Sequence, residues 1–317
     1  MPKLTRRRVV LAKTEATYGV DASPDPATDA FICNVSSNIT PSGEEVTRDY
    51  VRDVLSPIGS VVTTKTVALT IQTELKGGGM EDTDILPPEY EPLLLACGMK
   101  KSGDAATGWV YQPESDPAKH DSCTIYYYQD GLLHKAIGCR GSFKIDASVS
   151  ALGTIEFSMT GLWVDPVDEA MPSPVIADIV PPIVAGLGLT VGGYSPVCNA
   201  LSFDLGVSTS QRKDINSSTG VTGIEIQSRT PTGSIDPEAV TLAEFNPWTA
   251  WSGSTKAAIS ATVGSDIGNR ISISIPKAQY GVPAYGDRDG ILTYSLAFTA
   301  TIDDAGTGDD EVVLTYA

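Results

Sequence analysis

The sequence predicts a mainly β protein made of two tandem β-sandwich or barrel domains, each with one short flanking α-helix. Three observations support this prediction. Apolar and polar residues alternate in many short segments, helical patterns are scarce, and similar elements occur twice in the same order. With 317 residues the chain is long enough for two domains, because domains commonly span about 100 to 200 residues.

Alternation with a period of two places successive side chains on opposite faces of a strand. Val67, Leu69 and Ile71 alternate with Ala68, Thr70 and Gln72 in this way. The same pattern occurs at 143–146, 155–159, 271–275 and 292–298. These segments predict antiparallel strands with one buried and one more polar face.

Two short helices are predicted, at 88–97 and from 237 to about 245. In the first, Leu93, Leu94 and Leu95 are followed by Gly98, a residue typical of helix ends. In the second, Asp236 is a suitable N-cap, and Pro237 occupies the first helical position, where its missing N–H costs little.

An internal duplication is predicted from recurring elements. Ile71-Gln72 recurs as Ile226-Gln227, and the helix start at Pro88 recurs at Pro237. Between the two copies, residues 166–189 are rich in proline, a composition suited to an extended connector. The predicted division is a first domain at 1–165 with a long loop at 42–62, a connector at 166–189, and a second domain at 190–317.

The charge balance argues against nucleic acid as a bound partner. Asp and Glu total 39 against 22 Lys and Arg, which gives a formal net charge of −17. Proteins that bind duplexes neutralise phosphates with basic side chains, so duplex binding is disfavoured. The apolar run after Arg6–Arg8 is only four residues long (9–12), too short for a secretion signal, and a membrane role is not expected.

The residues that usually carry catalysis or metal binding do not form recognisable motifs, so no catalytic, cofactor or metal residue is assigned. The five cysteines are odd in number and lack a CxxC pair, which favours a reducing cytoplasm over disulfides or zinc. His120 and His134 show no metal-ligand spacing. The acidic segment 303–311 lacks the spacing of a calcium loop and is interpreted as a hairpin tip.

Two further segments stand out. Tyr126, Tyr127 and Tyr128 suggest either a sugar-stacking platform or core packing, and core packing is the simpler interpretation because neighbours in a strand face opposite sides. The segment 42–62 is long, charged and without a match of similar length in the second copy, and loops of such length in compact domains are usually functional or disordered. Its charged candidates are Glu44, Glu45, Arg48, Asp49, Arg52 and Asp53.

Four longer stretches carry further information: Val-Leu-Ala-Lys-Thr-Glu-Ala-Thr-Tyr-Gly-Val-Asp at 10–21, Gly-Glu-Glu-Val-Thr-Arg at 43–48, Pro-Pro-Glu-Tyr-Glu-Pro-Leu-Leu-Leu-Ala-Cys-Gly at 87–98, and Gly-Gly-Tyr-Ser-Pro-Val-Cys-Asn at 192–199. These stretches resemble the tail tube (major tail) proteins of long-tailed, siphovirus-like bacteriophages. Together the likeness covers most of the chain.

The resemblance implies two tail-tube-type β domains in a non-enzymatic virion protein, without a cofactor, that self-assembles into stacked rings. Two domains per chain imply trimeric rings of pseudo-sixfold symmetry, forming a hollow tube through which DNA is ejected without specific binding. By analogy, the six charged residues of segment 42–62 are expected to join successive rings.

Other implied partners are the tape measure, tail terminator and distal tail proteins. The implied location is the virion tail, after synthesis in the bacterial host cytoplasm. The alternatives are a β-sandwich carbohydrate-binding or surface-adhesion module, and a β-rich hydrolase.

Overall fold

A computed structural model describes residues 2–303 and 308–317. Strands account for 51% of the chain and helices for 5%, so the predicted mainly β fold class is confirmed. The predicted alternating segments are all strands, with Val67, Leu69 and Ile71 buried on one face. Part of the acidic segment 303–311 lies outside the described residues.

In the first half, the described residues 2–165 form eleven strands, one short α-helix and one 3₁₀ turn at Pro117–Lys119. The elements are β1 Arg8–Thr14, β2 Ala30–Phe31, β3 Asn38–Thr47, β4 Ser60–Glu74, β5 Met80–Glu81, β6 Asp84–Ile85, α1 Glu91–Ala96, β7 Met99–Asp104, β8 Gly108–Pro113, β9 Cys123–Gln129, β10 Leu132–Ser148 and β11 Thr154–Trp163.

The second half repeats this composition. Its elements are β12 Val167–Asp168, β13 Thr190–Val191, β14 Cys198–Asp204, β15 Val207–Lys213, β16 Val221–Arg229, β17 Thr232–Pro237, α2 Pro247–Ser252, β18 Lys256–Val263, β19 Ile271–Tyr280, β20 Ala284–Arg288, β21 Ile291–Ala300 and β22 Val313–Tyr316.

The two halves have the same strand order. In the first half the hydrogen-bonded order is β3-β4-β11-β10-β9-β1. In the second half it is β14-β17-β21-β19-β18-β13. All neighbouring strands are antiparallel. Each half also has its α-helix at the same place in the chain, after the second strand of this order and before the fifth: α1 lies between β4 and β9, and α2 lies between β17 and β18. This agreement supports the duplication, while the division at 165 and 190 stays a prediction.

The halves share one sheet and one core. Residues 144–148 of β10 pair with β14, from Lys144↔Asp204 to Ser148↔Ala200, and β8 pairs with β22. We call the pairing of β10 with β14 the internal seam. Next to it, Phe143 and Phe203 lie side by side in the main core, with their ring centroids 6.4 Å apart. The connector contributes buried Val184, and its Ala177 N–H donates to Glu89 Oε1 at 3.0 Å.

The prediction of the first helix is confirmed, and that of the second is wrong. α1 lies within the predicted 88–97, with Leu93 and Leu94 fully buried. Residues 236 and 237 instead end β17, because Asp236 Oδ1 accepts the backbone N–H groups of Asn199 and Ala200 at 2.8 and 2.7 Å. The helix starts ten residues later, where Asn246 caps Thr249 N–H at 3.0 Å and Pro247 opens the first turn.

The sequence equivalence of Ile71 and Ile226 also differs from the structure. Ile226 lies in β16, which pairs only with β15 among the described strands, whereas β17 lies next to β21 as β4 lies next to β11. The position that matches β4 in the second half is therefore taken by β17. The match of Ile71-Gln72 to Ile226-Gln227 was too short to distinguish β16 from β17, the next strand along the chain.

Candidate functional site

Segment 42–62, predicted as a loop, is the outer part of a long β-hairpin, which we call the first arm. β3 and β4 pair from Asn38↔Thr70 to Thr47↔Ser60, with a bulge between Glu44 and Glu45. The β-branched residues Val46, Thr47, Val61 and Val62 favour strands here. Residues 48–59 form the tip, which is closed by a hydrogen bond from Arg48 N–H to Gly59 O at 3.2 Å. Gly59 has a φ of +97°, a conformation that only glycine adopts readily.

The arm is exposed along its length. Every residue from 40 to 57 is exposed, and so are 59 to 63. The six charged residues predicted for contacts fall into two groups. Glu44 and Glu45 lie in the paired part of the arm, whereas Arg48, Asp49, Arg52 and Asp53 lie in the tip.

The two glutamates already have partners within the chain. Glu44 Oε1 forms an ion pair with Lys213 Nζ at 2.5 Å, and Glu45 Oε2 accepts the Ser60 hydroxyl at 2.7 Å. Among the ion pairs of the described residues, none includes the four charged residues of the tip. The structure therefore does not bring the six residues together in one cluster.

Apolar side chains of the tip were missed by the sequence analysis. Val51 and Leu55 are fully exposed, Tyr50 is 71% exposed, and Val54 is also exposed. The signal was present in the sequence Tyr-Val-Arg-Asp-Val-Leu at 50–55, where apolar residues lie between the charges. Clustered exposed apolar residues are more typical of an interaction surface than scattered ones.

The second half carries a comparable hairpin, which we call the second arm, formed by β15 and β16 with a tip at 214–220. The paired strands β14 and β17 extend the base of this hairpin, which makes it as long as the hairpin of the first half. This corrects the expectation that segment 42–62 has no counterpart of similar length in the second half. The second arm packs on the first half, with Val221 and Ile224 buried. It also touches the first arm's base, where Lys65 N–H donates to Thr219 O at 3.0 Å.

Arg140 holds the second arm in place. After a bulge in β10, its guanidinium donates to the carbonyls of His120 and Ile224 at 2.9 and 3.0 Å and to Glu225 Oε2 at 2.6 Å. Tyr18 lies over the guanidinium, and its hydroxyl accepts Ile224 N–H at 2.5 Å. Burial raises the pKa of Tyr18 above its usual value, so its hydroxyl stays protonated at neutral pH.

Glu15 is a buried carboxylate that the sequence analysis also missed. Its oxygens accept Gly19 N–H, Ser122 Oγ–H, Thr124 Oγ1–H and Gly138 N–H, at 2.6 to 2.8 Å. A carboxylate with all its acceptor positions occupied fixes local structure rather than abstracting protons. Glu15 follows directly after β1, three residues beyond the apolar run at 9–12, and no motif marked it in the sequence.

The other residues considered for chemistry have structural surroundings. His120 Nε2 is 2.9 Å from Glu114 O, and burial lowers the pKa of His134 below its usual value. The five cysteines are free thiols, and within residues 2–303 and 308–317 no group of three His, Cys, Asp or Glu is placed to hold a metal. No helix in that part of the chain could span a membrane.

The tyrosine run is confirmed as core packing. Tyr127 lies in the main core and donates its hydroxyl to Ser37 O at 3.0 Å. Tyr126 and Tyr128 lie on the opposite face in a smaller cluster with Leu11 and Leu133. None of the three rings is exposed as a stacking platform.

Fold and first arm together define a mainly β protein that carries a long exposed hairpin. The family model described as "Phage tail tube protein" matches residues 5–300, nearly the whole chain. The chain therefore belongs to the phage tail tube protein family, which confirms the resemblance seen in the sequence. A search of curated proteins found no match.

Membership in this family indicates the general role of the chain. Proteins of this family are structural components of phage tails and are generally non-enzymatic. The family implies a location in the virion tail, self-association, and contact with other tail components.

Proposed function

We propose that three copies of this chain form a ring with pseudo-sixfold symmetry, and that such rings stack into the hollow tail tube of a siphovirus-like phage. The family match supports self-association, and the two sets of strands with one common order support the symmetry. Three chains would supply six similar sets to each ring.

The observation that carries ring stacking is the first arm. Its tip is exposed and extends beyond the paired strands, and it presents apolar side chains together with charges that form no ion pair among the described residues. A single chain gains nothing from a twelve-residue tip of this composition, because ordering it costs conformational entropy. Contact with the next ring would offset that cost.

Within this proposal the arm residues have different roles. Arg48 and Arg52 would bind carboxylates of the next ring, since a guanidinium forms two parallel hydrogen bonds with a carboxylate. Asp49 and Asp53 would fix register through complementary charge. Val51 and Leu55 would supply affinity, at roughly 1.5 to 3 kcal/mol for each side chain fully buried. Glu44 and Glu45 would hold the arm's base through Lys213 and Ser60.

The acidic composition fits passage of DNA through the tube without specific binding. At a formal net charge of −17, carboxylates facing the bore would repel phosphates across a layer of water. The proposed partners are the tape measure, tail terminator and distal tail proteins, and assembly would follow synthesis in the cytoplasm of the bacterial host. The buried tyrosine run leaves the carbohydrate-binding alternative without its main support.

Negative-stain electron microscopy of concentrated protein, together with sedimentation velocity, tests the proposal. We expect rings or hollow rods whose top views show three chains with six similar lobes. Rings of another stoichiometry would contradict the trimer, and protein that stays monomeric at all concentrations would contradict the proposed function.

A further inference from the structure

A cleft of about 170 Å³ lies between the start of β1, the segment that follows β2, and the connector. Among the described residues that line it are two arginines, Arg6 and Arg8, and no carboxylate. The cleft thus differs in sign from the chain as a whole, in which Asp and Glu outnumber Lys and Arg by 39 to 22. An anion that enters it is attracted rather than repelled.

The guanidinium of Arg8 is fixed on one side and lacks a partner on the other. Its Nη1 donates to the carbonyls of Val35 and Ser37 at 3.0 and 2.6 Å, and its Cζ lies 5.9 Å from the ring centroid of Tyr127. Its Nε–H is buried without a hydrogen-bond partner among the residues that the structure describes. Nε and Nη2 form the edge with which a guanidinium binds both oxygens of a carboxylate or phosphate. The chain therefore holds this edge in place and supplies no acceptor for its Nε.

Neither arginine of the cleft has a counterion within the described part of the chain. Arg6 and Arg8 take part in no ion pair there, whereas the neighbouring Arg7 pairs with Asp130 at 2.9 Å. Arg8 is also partly buried, and a cation removed from water without a counterion carries an uncompensated cost of desolvation. An anion bound from outside the chain would offset that cost.

The rest of the lining is largely apolar, which favours one kind of anion. Val10 and Phe31 are buried residues of the lining, and the connector contributes Pro174 and Ile176. A carboxylate on a short aliphatic stem would cover this apolar surface with its methylene groups, whereas a bare phosphate would leave it uncovered. At a formal net charge of −17 the chain also repels a polyanion such as DNA. The cleft therefore suits a carboxylate side chain better than a nucleic-acid phosphate.

We propose that this cleft binds a carboxylate on a short aliphatic side chain, that of Glu or Asp in an acidic segment of another protein. Arg8 would bind the carboxylate through Nη2 and the unpartnered Nε–H, and Arg6 would add attraction. The volume of about 170 Å³ is below the roughly 300 to 1,000 Å³ of pockets that take drug-sized ligands, so the site admits one small group. All its residues belong to one chain, and the inference does not rest on the proposed rings.

Saturation-transfer difference NMR on the full-length chain at low salt tests the site. The probe is butyrate, a carboxylate on a short aliphatic chain, and its matched neutral ligand is butyramide. The measurement reports contact of the ligand's methyl and methylene protons with the protein. We expect butyrate to bind and butyramide to bind about tenfold more weakly, the factor that corresponds to one lost charge-assisted hydrogen bond.

Two variants and a matched control locate the binding. Arg8→Lys keeps the charge but lacks the paired donors of a guanidinium. Arg6→Gln removes a charge from an exposed side chain. Each should weaken butyrate binding several-fold. The control Arg7→Gln removes the same charge at a residue outside the lining and should leave binding unchanged, with circular dichroism confirming the fold of all three.

Several results would overturn the site. Equal binding of butyrate and butyramide would show that the carboxylate is not recognised, and equal weakening by Arg6→Gln and Arg7→Gln would show a general effect of charge. An absence of saturation transfer to butyrate would also contradict it. Inorganic phosphate that displaces butyrate at a lower concentration than butyrate needs for half-saturation would assign the cleft to phosphate instead. None of these results bears on ring formation, which electron microscopy and sedimentation test separately.

Discussion

Neither Arg48 nor Arg52, in the tip of the first arm, forms an ion pair with a described carboxylate. Arg140, Arg229 and Arg288 each form such a pair. Ion pairs of exposed side chains contribute only about 0.2 to 1 kcal/mol to stability, so the tip charges are not needed for folding. Their role is expected in contacts with other copies.

Replacing both tip arginines by glutamate should leave the monomer folded and weaken tube formation. Like charges across an interface cost several kcal/mol in order of magnitude, and every subunit would carry the penalty. Polymerisation is measured by sedimentation, and folding by circular dichroism. The matched control is Lys100→Glu with Lys256→Glu, which changes the net charge equally at exposed positions in strands. Normal tubes from the tip variant would show that these arginines do not join rings.

Arg140 illustrates the opposite case, a buried cation with several acceptors. Replacing it by methionine removes bonds to the carbonyls of His120 and Ile224. Because these carbonyls would remain buried, Arg140→Met should lower the free energy of unfolding by about 3 kcal/mol. Glu225→Gln should cost less, since Glu225 is partly exposed. Urea denaturation compares the two, and equal losses would argue against Arg140 as the main anchor of the second arm.

The Asp236 carboxylate is expected to contribute to the loss of fold stability at acid pH. Burial alone would raise the pKa of its carboxyl, but hydrogen bonds from Cys198, Ala200 and Asn199 and the Arg288 charge together lower it below its usual value. The ionised carboxylate therefore stabilises the fold fully at pH values above the pKa that Asp236 has in the unfolded chain. This stabilisation is lost as the pH falls through the lower pKa of the folded state.

Asp236→Asn should accordingly be less stable than the parent protein at pH 6, with the difference shrinking as the pH falls below about 4. Urea midpoints at both pH values measure this. Asp287→Asn, at an exposed carboxylate in β20 nearby, is the control and should change little. A difference that stays constant with pH would show that the ionised form of Asp236 does not stabilise the fold.

At the scale of elements, the two arms have the same hairpin architecture and different surroundings. Both are antiparallel hairpins that extend from the shared sheet. The second arm is held by buried side chains of its own, such as Ile224, whereas the first arm is exposed from residue 40 to its tip. The second arm therefore belongs to the folded core of one chain, and the first is available to another.

Replacing residues 49–58 by Asn-Gly should abolish stacking without unfolding the chain. Arg48 N–H already bonds to Gly59 O, and a two-residue Asn-Gly turn closes antiparallel strands in a favourable conformation. We expect an unchanged circular dichroism spectrum, rings in electron micrographs, and no rods.

The control for this shortened arm is Asn246→Ala, which removes the cap of α2 at a site away from the first arm. It should cost about 1 kcal/mol of stability and should still form rods. Rods of normal length from the shortened arm would show that the tip does not join successive rings.

For the whole molecule, the shared core predicts that both halves unfold together. Phe203 comes from the second half and packs beside Phe143 of the first. Phe203→Ala should therefore destabilise the entire chain, by about 3 to 5 kcal/mol. Tryptophan fluorescence reports on both halves, through Trp109 and Trp163 in one and Trp248 and Trp251 in the other.

Circular dichroism and fluorescence should give one coincident transition for the parent protein and for the variant. Leu292→Ala, at an exposed apolar residue of β21, is the control and should cost far less. Two separate transitions would instead support two domains that fold independently.

The sequence by itself determined the elements whose signals are local. Alternation over 67–75 predicts the buried face of β4, because a period of two is a property of a strand whatever its neighbours. The leucines at 93–95 likewise predict α1. The tyrosine run was correctly assigned to packing, since neighbouring residues in a strand cannot share a face.

Only the tertiary structure decided features that depend on residues distant in the chain. Asp236 and Pro237 carry a helix-start signal, but the N–H groups of Asn199 and Ala200 and the guanidinium of Arg288 hold Asp236 in a strand. Likewise, nothing in the sequence shows which charged residues of segment 42–62, such as Glu44 and Arg48, have a partner within the chain. Glu44 has a partner because Lys213 of the second arm reaches it, whereas no described element of the same chain brings a carboxylate to Arg48 in the exposed tip. Local pattern specifies secondary structure, whereas packing between the halves decides which charges remain free for another copy.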